Sequence, residues 1–367
     1  MGKPADRLAL SYVLPLRWRS AGDVAELADY LKRLGAEVGE VIVIDASPAP
    51  VFEQLSAALG REVIHRRPDP AHRFRMPKVD GVTTGVFAAS NEKVVIADDD
   101  VRYGRAELER AAALLDGVEL VRPQNYFEPL RWHARWDTGR SLLNRVVTGD
   151  RHFPVGDFPG TLAIRRSAFE AIGGYDGDVI FENLELMRSV HAAGGRVLTP
   201  LDLYVRRLPP STAHFLSQRV RQAYDDFAIP ARMALWLALV PLLLAARRHR
   251  AAIAAAAAAF AGIAELGRRR GGGRRILPAS GSLLAPLWVL ERCLCAWAAL
   301  GQRLRGGVRY REARIRRSAS SYRELERRLG GRLSGAGCLK ADRLVGAVAE
   351  GPDPRAPAAA ERDRSPA

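Results

Sequence analysis

Short apolar runs alternate with amphipathic segments along the first half of the chain. Leu8–Leu16 and residues 41–44 predict two buried strands. Between them, apolar residues recur at helical spacing from Val24 to Leu34, and Asp23 is the predicted N-cap. A second helix over 51–59 and a short strand over 62–65 continue the alternation. Strand, helix, strand, helix in this order predicts a parallel sheet with right-handed crossovers.

The same alternation continues to about residue 225. Further strands are predicted over 94–97, 118–122, 161–165 and 196–199, and helices over 78–89, 106–115, 167–172, 181–193 and from 217 onward. Residues 125–139 are polar and rich in aromatics, and no helix or strand is predicted there. Residues 153–160 predict a glycine- and proline-rich loop.

The pattern changes after residue 228. Residues 231–246 are nearly uncharged apart from Arg232, residues 251–266 are rich in alanine, and residues 283–300 are apolar apart from Glu291 and Arg292. The first two segments have about 16 residues, short of the roughly 20 that a simple membrane span needs. We predict a membrane-associated region made of a short hairpin and an interfacial amphipathic helix, with a soluble helical bundle as the alternative.

These shifts predict three parts of the chain. Residues 1–228 would form the catalytic-sized domain, 229–333 a membrane-associated helical region with a basic segment, and 334–367 a tail too polar to fold. The N-terminus is polar and too short for a secretory signal, so we expect the first domain at the cell membrane, facing the cytoplasm.

Charge strengthens the membrane prediction. The formal net charge is +15, and eleven arginines lie between Gln302 and Arg332. Few aromatic residues accompany them to stack on bases, so the pattern favours an anionic membrane surface over nucleic acid. The three cysteines form neither a disulfide framework nor a metal quartet.

Three consecutive acids, Asp98, Asp99 and Asp100, follow the apolar run 94–97. Side chains alternate along an extended chain, so Asp98 and Asp100 point to similar sides and form a predicted site for one divalent cation. The alternative is a turn that caps the next helix. Asp45 ends the second strand at the same sheet edge, where it would accept hydrogen bonds from a ribose or base, or else form an Asx-turn.

Five other side chains carry candidate chemistry. Glu182 and Glu185 are three residues apart and share a face of a predicted helix; a cap acid plus a surface acid is the alternative. Lys78 begins a helix and is placed to neutralise a diphosphate, unless its segment is a solvated basic loop. Gln218 and Arg221 lie on one side of an amphipathic helix that is otherwise a solvated charged helix.

Taken together, residues 8 to about 225 resemble the family 2 glycosyltransferases. The matching pieces stand in the family's order: Val13-Leu14-Pro15; Ile42-Val43-Ile44-Asp45-Ala46-Ser47; Lys78-Val79-Asp80-Gly81 with Gly85; Asp98-Asp99-Asp100; Phe158-Pro159-Gly160-Thr161, Arg165-Arg166 and Gly173-Gly174-Tyr175-Asp176; Glu182-Asn183 with Glu185; and Gln218-x-x-Arg221. The resemblance implies the GT-A fold for nucleotide-diphospho-sugars, a Rossmann-like mixed α/β sheet, here followed by membrane-associated helices.

The resemblance also implies roles. A hexosyltransferase of this type would bind Mn²⁺ or Mg²⁺ at Asp98 and Asp100, and use Glu182 or Glu185 as the base of an inverting transfer. The sugar nucleotide would be bound by Pro15, Asp45, Lys78, Asp98, Asp99, Gln218 and Arg221. The apolar C-terminal third is like that of members that glycosylate a lipid or polyprenyl-linked acceptor.

Two residues depart from the family pattern. Asn183 stands where an aspartate is expected, and Gln222 follows Arg221 where a tryptophan is expected. Asn183 supports an alternative, a membrane scaffold that kept the fold and lost the chemistry. A nucleotidyltransferase ranks lower, because the segment 16–20 after the first strand has arginines but no glycine cluster.

Overall fold

The computed structural model describes residues 7–19, 23–148, 159–310 and 313–334. Within these ranges the strands are β1 (Leu8–Leu16), β2 (Val38–Asp45), β3 (Val63–Arg66), β4 (Lys93–Ala97), β5 (Val101–Arg102), β6 (Leu120–Val121), β7 (Gln124–Phe127), β8 (Thr161–Arg165), β9 (Val197–Leu198), β10 (Tyr204–Arg207), β11 (Val308–Tyr310) and β12 (Ala313–Ile315).

The helices of the described chain are α1 (Val24–Glu37), α2 (Ala49–Ala58), α3 (Pro77–Ala88), α4 (Arg105–Leu114), α5 (Trp132–Val147), α6 (Arg166–Ile172), α7 (Glu182–Ala192), α8 (Thr212–Tyr224), α9 (Pro230–Ala245), α10 (Arg250–Arg269), α11 (Ala279–Leu304) and α12 (Tyr322–Leu329). Short 3-10 turns follow α8, α9 and α10.

A seven-stranded mixed sheet organises the first two hundred residues. Its order is β3-β2-β1-β4-β8-β6-β9, in which β3, β2, β1 and β4 are parallel and β8 runs antiparallel to both of its neighbours. A three-stranded sheet, β5-β10-β7, lies beyond the acids that follow β4. The predicted α/β class with a mixed sheet and apolar C-terminal helices is confirmed.

Both faces of the central sheet are buried, which explains the nearly continuous apolar runs. In β1, Leu10, Tyr12 and Leu14 belong to one core cluster, whereas Val13 belongs to the cluster on the other face. α1 and α4 contribute apolar side chains to the first cluster, and α3, α6 and α7 contribute to the second. The result is a three-layer arrangement with the carboxyl ends of β1, β2 and β4 at one edge.

Helix α3 lies unusually close to β1, because glycine faces the strand at two positions. A Cβ added at Gly81 would lie 2.9 Å from the Cβ of Pro15, and one added at Gly85 would overlap the Val13 side chain. This close approach carries the first turn of α3, with Lys78, to the edge where β4 ends. Gly81 and Gly85 are therefore needed for the close packing of α3 against β1.

Gly85→Ala is expected to destabilise the protein by about 1–3 kcal/mol, because the added methyl group overpacks the contact between α3 and β1. Equilibrium urea unfolding measures the change. Gly262→Ala in exposed α10 is the matched control, since nothing lies within 4 Å of its added Cβ. That control should gain stability, by about 0.4–1 kcal/mol. Equal effects of the two changes would contradict the packing account.

Sequence patterning missed helix α5, which covers most of the aromatic stretch 125–139. Its buried face carries charged side chains, Asp137, Arg140 and Arg145, so no apolar stripe marks it. Arg145 donates to the carbonyl of Gly267 and to the Tyr204 hydroxyl at 3.1 and 2.7 Å. These bonds replace the hydrophobic contacts that would have signalled a helix.

Helices α9, α10 and α11 are each, with their flanking turns, long and apolar enough to cross a membrane by length and composition. The sequence estimate of about 16 residues was wrong for α10, which spans 20 residues. Helix α11 nevertheless packs on α5 and α8. At its centre, Glu291 accepts hydrogen bonds from Arg219 at 2.6 Å and from the Trp136 indole at 2.9 Å.

The opposite side of α11 presents an apolar stripe to the outside. Its large exposed side chains recur every three or four residues, and they are Leu283, Leu287, Leu290, Leu294 and Trp297. Exposed leucines on α9 and α10 add to it: Leu235, Leu242, Leu244 and Leu266. We call these nine residues the apolar face. An exposed apolar surface of this kind marks an interaction site for membrane or protein.

Residues 308–310 and 313–334 lie against the first domain. The β11–β12 hairpin brings Tyr310 to the carboxyl edge of the sheet, Val179 and Arg317 form a β-bridge, and α12 packs on α7. The basic segment predicted as membrane-associated therefore also contacts the catalytic-sized domain. The predicted limits at 228 and 333 stay predictions. Of the predicted tail 334–367, residues 335–367 lie outside the described residues.

Candidate active site

A cleft of about 160 Å³ lies at the carboxyl edge of β1, β2 and β4. In open α/β sheets this edge is where ligands bind. The cleft is lined by Pro15, Leu16, Arg17, Ile44, Ala46, Pro77, Lys78, Gly81, Asp98, Asp99 and Tyr310. Four of the predicted donor-binding residues, Pro15, Lys78, Asp98 and Asp99, are therefore brought together as expected.

The three acids after β4 make separate contacts. Asp98 pairs with Lys78 at 2.6 Å through one oxygen, and its other oxygen lies 3.5 Å from an Arg207 nitrogen. Asp100 accepts a hydrogen bond from Arg207 Nε at 2.9 Å. The indole N–H of Trp18 donates to Asp99 at 2.5 Å. Asp98 and Asp100 both reach the Arg207 guanidinium, but not by strand alternation: the acids form a turn after β4, in which the Val101 N–H donates to the Asp98 carbonyl at 3.1 Å.

Asp100 is the acid whose surroundings best fit a ligand of a divalent cation. Its Oδ1 atom is buried and has no hydrogen-bond partner among the described residues. Burial raises the pKa of Asp100 to about 6, with Asp98 and Asp99 adding to the shift and Arg207 opposing it. A carboxylate oxygen buried without a partner is costly, and a divalent cation would satisfy it.

Across the described residues, no group of three or more acidic, histidine or cysteine side chains is arranged to hold a metal ion. A cation at Asp98 and Asp100 would therefore need other oxygen ligands. This requirement suits Mg²⁺ and similar ions, which are commonly held by one or two carboxylates plus phosphate oxygens of a substrate. The donor set fits a cation that arrives with a diphosphate.

Lys78 joins Asp98, Asp99 and Asp100, which we call the acid cluster, to helix α7. Its ammonium lies 2.6 Å from Asp98 and 2.7 Å from Glu182. Burial alone would lower the pKa of Lys78, but the two carboxylates raise it well above its ordinary value. The side chain stays charged, and it places the Glu182 carboxylate next to the acids.

The two candidate bases have different surroundings. Glu182 begins α7 and reaches Lys78 at the cleft. Glu185 is fully buried, and its Oε2 accepts a hydrogen bond from the backbone N–H of Ser320 at 2.6 Å. Burial raises the pKa of Glu185. The geometry therefore favours Glu182 for chemistry and gives Glu185 a role in anchoring residues 313–334.

Asn183 has a structural reason to be an amide. Its Nδ2 donates to the carbonyl of Pro159 at 2.8 Å, just before β8. An ionised aspartate has no proton to donate, so it could not make this bond. The departure from the family pattern is thus explained by a contact, without implying lost chemistry.

Asp45 adopts the alternative that the sequence left open. The backbone N–H of Ser47 donates to Asp45 Oδ1 at 2.7 Å, which is an Asx-turn, and His65 Nε2 lies 3.2 Å from Oδ2. The carboxylate is fully buried beneath Ala46, which lines the cleft. Asp45 thus shapes the cleft wall rather than presenting its oxygens to the cleft.

Gln218 and Arg221 lie on α8, outside the residues that line the cleft. Arg221 Nε donates to Gln218 Oε1 at 2.5 Å, which confirms that they share one side of the helix. The pKa of His214 is lowered by burial and by the charges of Arg221 and Arg207, and Asp99 opposes this. His214 on α8 is therefore close enough to Arg207 and Asp99 to feel their charges.

Sequence reasoning missed three residues that complete the site. Arg207 comes from β10, a strand that was not predicted, and Trp18 follows β1 in a segment without a helical or strand pattern. Tyr310 arrives from a hairpin about two hundred residues after β4. Only tertiary packing brings these side chains to the acids.

Two adjacent acids after α8 have opposite surroundings. Asp226 pairs with Arg232 at 2.5 Å and lies 3.7 Å from Arg292. Both carboxylate oxygens of Asp225 are buried without a hydrogen-bond partner among the described residues. Burial raises the pKa of Asp225 to about 8; Arg221 opposes the shift. At neutral pH Asp225 is therefore protonated.

Asp225→Asn is expected to stabilise the protein increasingly as pH rises from 5 to 8. The folded state keeps the Asp225 proton up to about pH 8, whereas the unfolded chain releases it near pH 3.8. Between these values the folded state binds more protons, so wild-type stability falls as pH rises. Asparagine is neutral throughout and removes this loss.

Differential scanning calorimetry at pH 5, 6.5 and 8 measures the effect. Asp226→Asn is the matched control, and it should lower Tm at every pH because Arg232 and Arg292 lose a buried counter-charge. A Tm difference between Asp225→Asn and wild type that does not change with pH would show that Asp225 is ionised in the folded protein.

No protein-family model matches the sequence, and no curated protein matches it at a significant level. Among solved structures, similarity is found to a mannosyltransferase from Pyrobaculum calidifontis in complex with GDP-Man and Mn²⁺, at 18% identity and a TM-score of 0.43, over 83% of this chain and 78% of that one.

Two other solved structures are similar over a shorter stretch. One is glucosyl-3-phosphoglycerate synthase from Mycobacterium tuberculosis with Mn²⁺, UDP and phosphoglyceric acid, at 16% identity and a TM-score of 0.37, over 57% of this chain and 74% of that one. The other is S. aureus TarS 1–349 with UDP-GlcNAc, at 15% identity and a TM-score of 0.38, over 57% and 60%. At these identities and TM-scores, the similarity does not show what this chain does. A function for it has to be argued from its own geometry.

Proposed function

We propose that this protein is a glycosyltransferase of the GT-A, family 2 type that transfers a hexose from a nucleotide-diphospho-sugar to a lipid or polyprenyl-linked acceptor. The observation that carries the proposal is the cluster of Asp98, Asp100, Lys78, Arg207 and Glu182 at the carboxyl edge of the sheet. Of these, Asp98 and Lys78 line the cleft, and ion pairs join the other three to them. Acids and cations combined in this way suit a diphosphate that binds with a divalent cation.

Asp98 and Asp100 are the proposed ligands of Mn²⁺ or Mg²⁺, on the strength of the partnerless buried oxygen of Asp100. When bound, such an ion neutralises charge on the leaving diphosphate. Lys78 and Arg207 supply two further positive charges at the same place. Arginine binds phosphate oxygens through its planar fork, and lysine binds them as a point charge.

Glu182 is the proposed general base. Its carboxylate would take the proton of the acceptor hydroxyl as that oxygen bonds to the anomeric carbon. The bond between that carbon and the diphosphate oxygen breaks in the same displacement, so the nucleoside diphosphate leaves with the electron pair and the configuration inverts. Lys78 fixes the carboxylate at 2.7 Å and positions it for this step.

The apolar face supports a membrane-bound acceptor. Leucines and Trp297 protrude from α9, α10 and α11 where a soluble domain would expose polar groups, and arginines border these helices. Helix α11 is tied to the catalytic domain through Glu291 and Arg219. We therefore propose that the three helices lie in the interface of an anionic membrane, with the catalytic domain on the cytoplasmic side.

A transfer assay tests the proposal. The full chain is incubated in anionic vesicles containing a polyprenyl phosphate, with UDP- and GDP-linked hexoses and Mn²⁺. We expect glycolipid formation from at least one donor, and loss of that product in EDTA. Binding of nucleoside diphosphate with no transfer or donor hydrolysis would favour the scaffold alternative, and release of pyrophosphate from a sugar phosphate and a nucleoside triphosphate would favour a nucleotidyltransferase.

A further inference from the structure

A second cavity, of about 170 Å³, lies among α5, α9, α10 and α11. Small-molecule sites typically have mostly apolar walls with a few placed polar groups. Its apolar and aromatic lining is formed by Leu143, Val147, Leu235, Trp236, Phe260, Ile263 and Trp288. None of the residues that line it belongs to the sugar-nucleotide cleft.

Positive charge collects at one end of this cavity. Arg140, Arg232 and Arg292 line it against a single carboxylate, Asp226. Arg232 pairs with Asp226 at 2.5 Å, Arg292 lies 3.7 Å from the same carboxylate, and Arg140 pairs with Asp137 at 3.0 Å. These partners hold the three guanidinium groups at the cavity wall, where their planar forks suit an anionic head group with several oxygens.

Two tryptophans add unused hydrogen-bond donors. The rings of Trp236 and Trp288 meet edge to face at 6.0 Å, and the side chains are only 7% and 4% exposed. Both indole N–H groups are buried and lack an acceptor among the described residues. Buried tryptophan N–H groups normally find a partner, and one left unsatisfied is costly. An oxygen-bearing ligand in the cavity would supply the acceptor.

The mouth of the cavity opens beside the apolar face. Three lining side chains are exposed: Val147 at 63%, Leu235 at 48% and Ile263 at 39%. Leu235 belongs to both the cavity and the apolar face, so the two surfaces are continuous. A ligand with its polar head inside would extend an apolar chain through this mouth into the membrane.

We propose that this cavity binds a single-chain anionic lipid, whose phosphate-like head lies against the arginines and the two indole N–H groups and whose chain leaves past Ile263. The site is separate from the sugar-nucleotide cleft, and it stands whether or not the chain transfers sugar.

Isothermal titration of the full chain in a non-ionic maltoside detergent tests the proposal, with dodecyl phosphate, dodecanol and inorganic phosphate as probes. We expect saturable binding of dodecyl phosphate near one per chain. Dodecanol should bind at least about tenfold more weakly, because it has no anionic head. Inorganic phosphate alone should give no binding in the same range, because it has no chain.

Ile263→Glu places an acid at the mouth, and Leu266→Glu, three residues later on α10, places one on the apolar face outside the cavity lining. We expect Ile263→Glu to weaken dodecyl phosphate binding about tenfold or more, and Leu266→Glu to change it less than about twofold. Both positions are exposed, so both variants should fold, and circular dichroism checks this.

Three results would overturn the proposal. Equal affinities for dodecanol and dodecyl phosphate would show that the cavity binds an apolar chain without recognising an anionic head group. Binding of inorganic phosphate as tight as that of the lipid would assign the site to free phosphate. Equal losses in Ile263→Glu and Leu266→Glu would place the lipid on the apolar face in general.

Discussion

Asp98→Asn is expected to lower sugar transfer by roughly 100- to 1,000-fold and to abolish stabilisation by Mn²⁺. The change removes the charge that faces Lys78 and Arg207 and one of two proposed cation ligands. Initial rates with the active donor measure the loss, and Tm with and without Mn²⁺ measures cation binding independently of activity.

The Asp98→Asn variant should fold, because asparagine keeps the shape and Lys78 keeps its ion pair with Glu182. Asp116→Asn is the matched control, since Asp116 is an exposed acid paired with Lys93 on the surface. It should leave both rate and Mn²⁺ response unchanged. Full activity of Asp98→Asn with a normal Mn²⁺ response would remove the metal-site proposal.

Glu182→Gln and Glu185→Gln are expected to lower the rate of sugar transfer by very different factors. Glu182→Gln should lower the maximal transfer rate by about 10²–10⁴-fold with little change in donor affinity, because the glutamine amide cannot accept a proton. Glu185→Gln should keep most of the activity, since its carboxylate is buried against Ser320 rather than facing the cleft.

Rates at saturating donor, together with donor affinity from calorimetry, separate a chemical loss from a binding loss. The two residues sit on one helix three positions apart, so each variant controls for general damage to α7. A larger loss in Glu185→Gln than in Glu182→Gln would move the base to Glu185. Unchanged turnover in both would place it elsewhere.

The parts of the fold that the sequence predicted are those with local signals. The strand β8 was predicted at its observed limits, and Asp23 caps α1 as expected, because its side chain accepts a hydrogen bond from the Glu26 N–H at 3.1 Å. Asp98 stood out because it directly follows an apolar strand, and the position of an acid after a parallel strand fixes its place in the fold.

The parts that the sequence could not predict depend on distant partners. Arg207 lies 107 residues after Asp100. The chain has many arginines, and only the pairing of β10 with β5 brings this one to Asp100. Helix α5 was missed because ion pairs, not leucines, bury its inner face. Glu182 and Glu185 were equivalent by spacing, and only the contacts of Lys78 and Ser320 distinguish them.

The central claim is that the acid cluster is a cation-dependent diphosphate site, and calorimetric titration with UDP and GDP tests it most directly. The account predicts that at least one nucleoside diphosphate binds in Mn²⁺, and that EDTA or Asp98→Asn weakens this binding by about tenfold or more. Binding of equal strength in Mn²⁺ and EDTA, or no binding of either diphosphate in Mn²⁺, would contradict it.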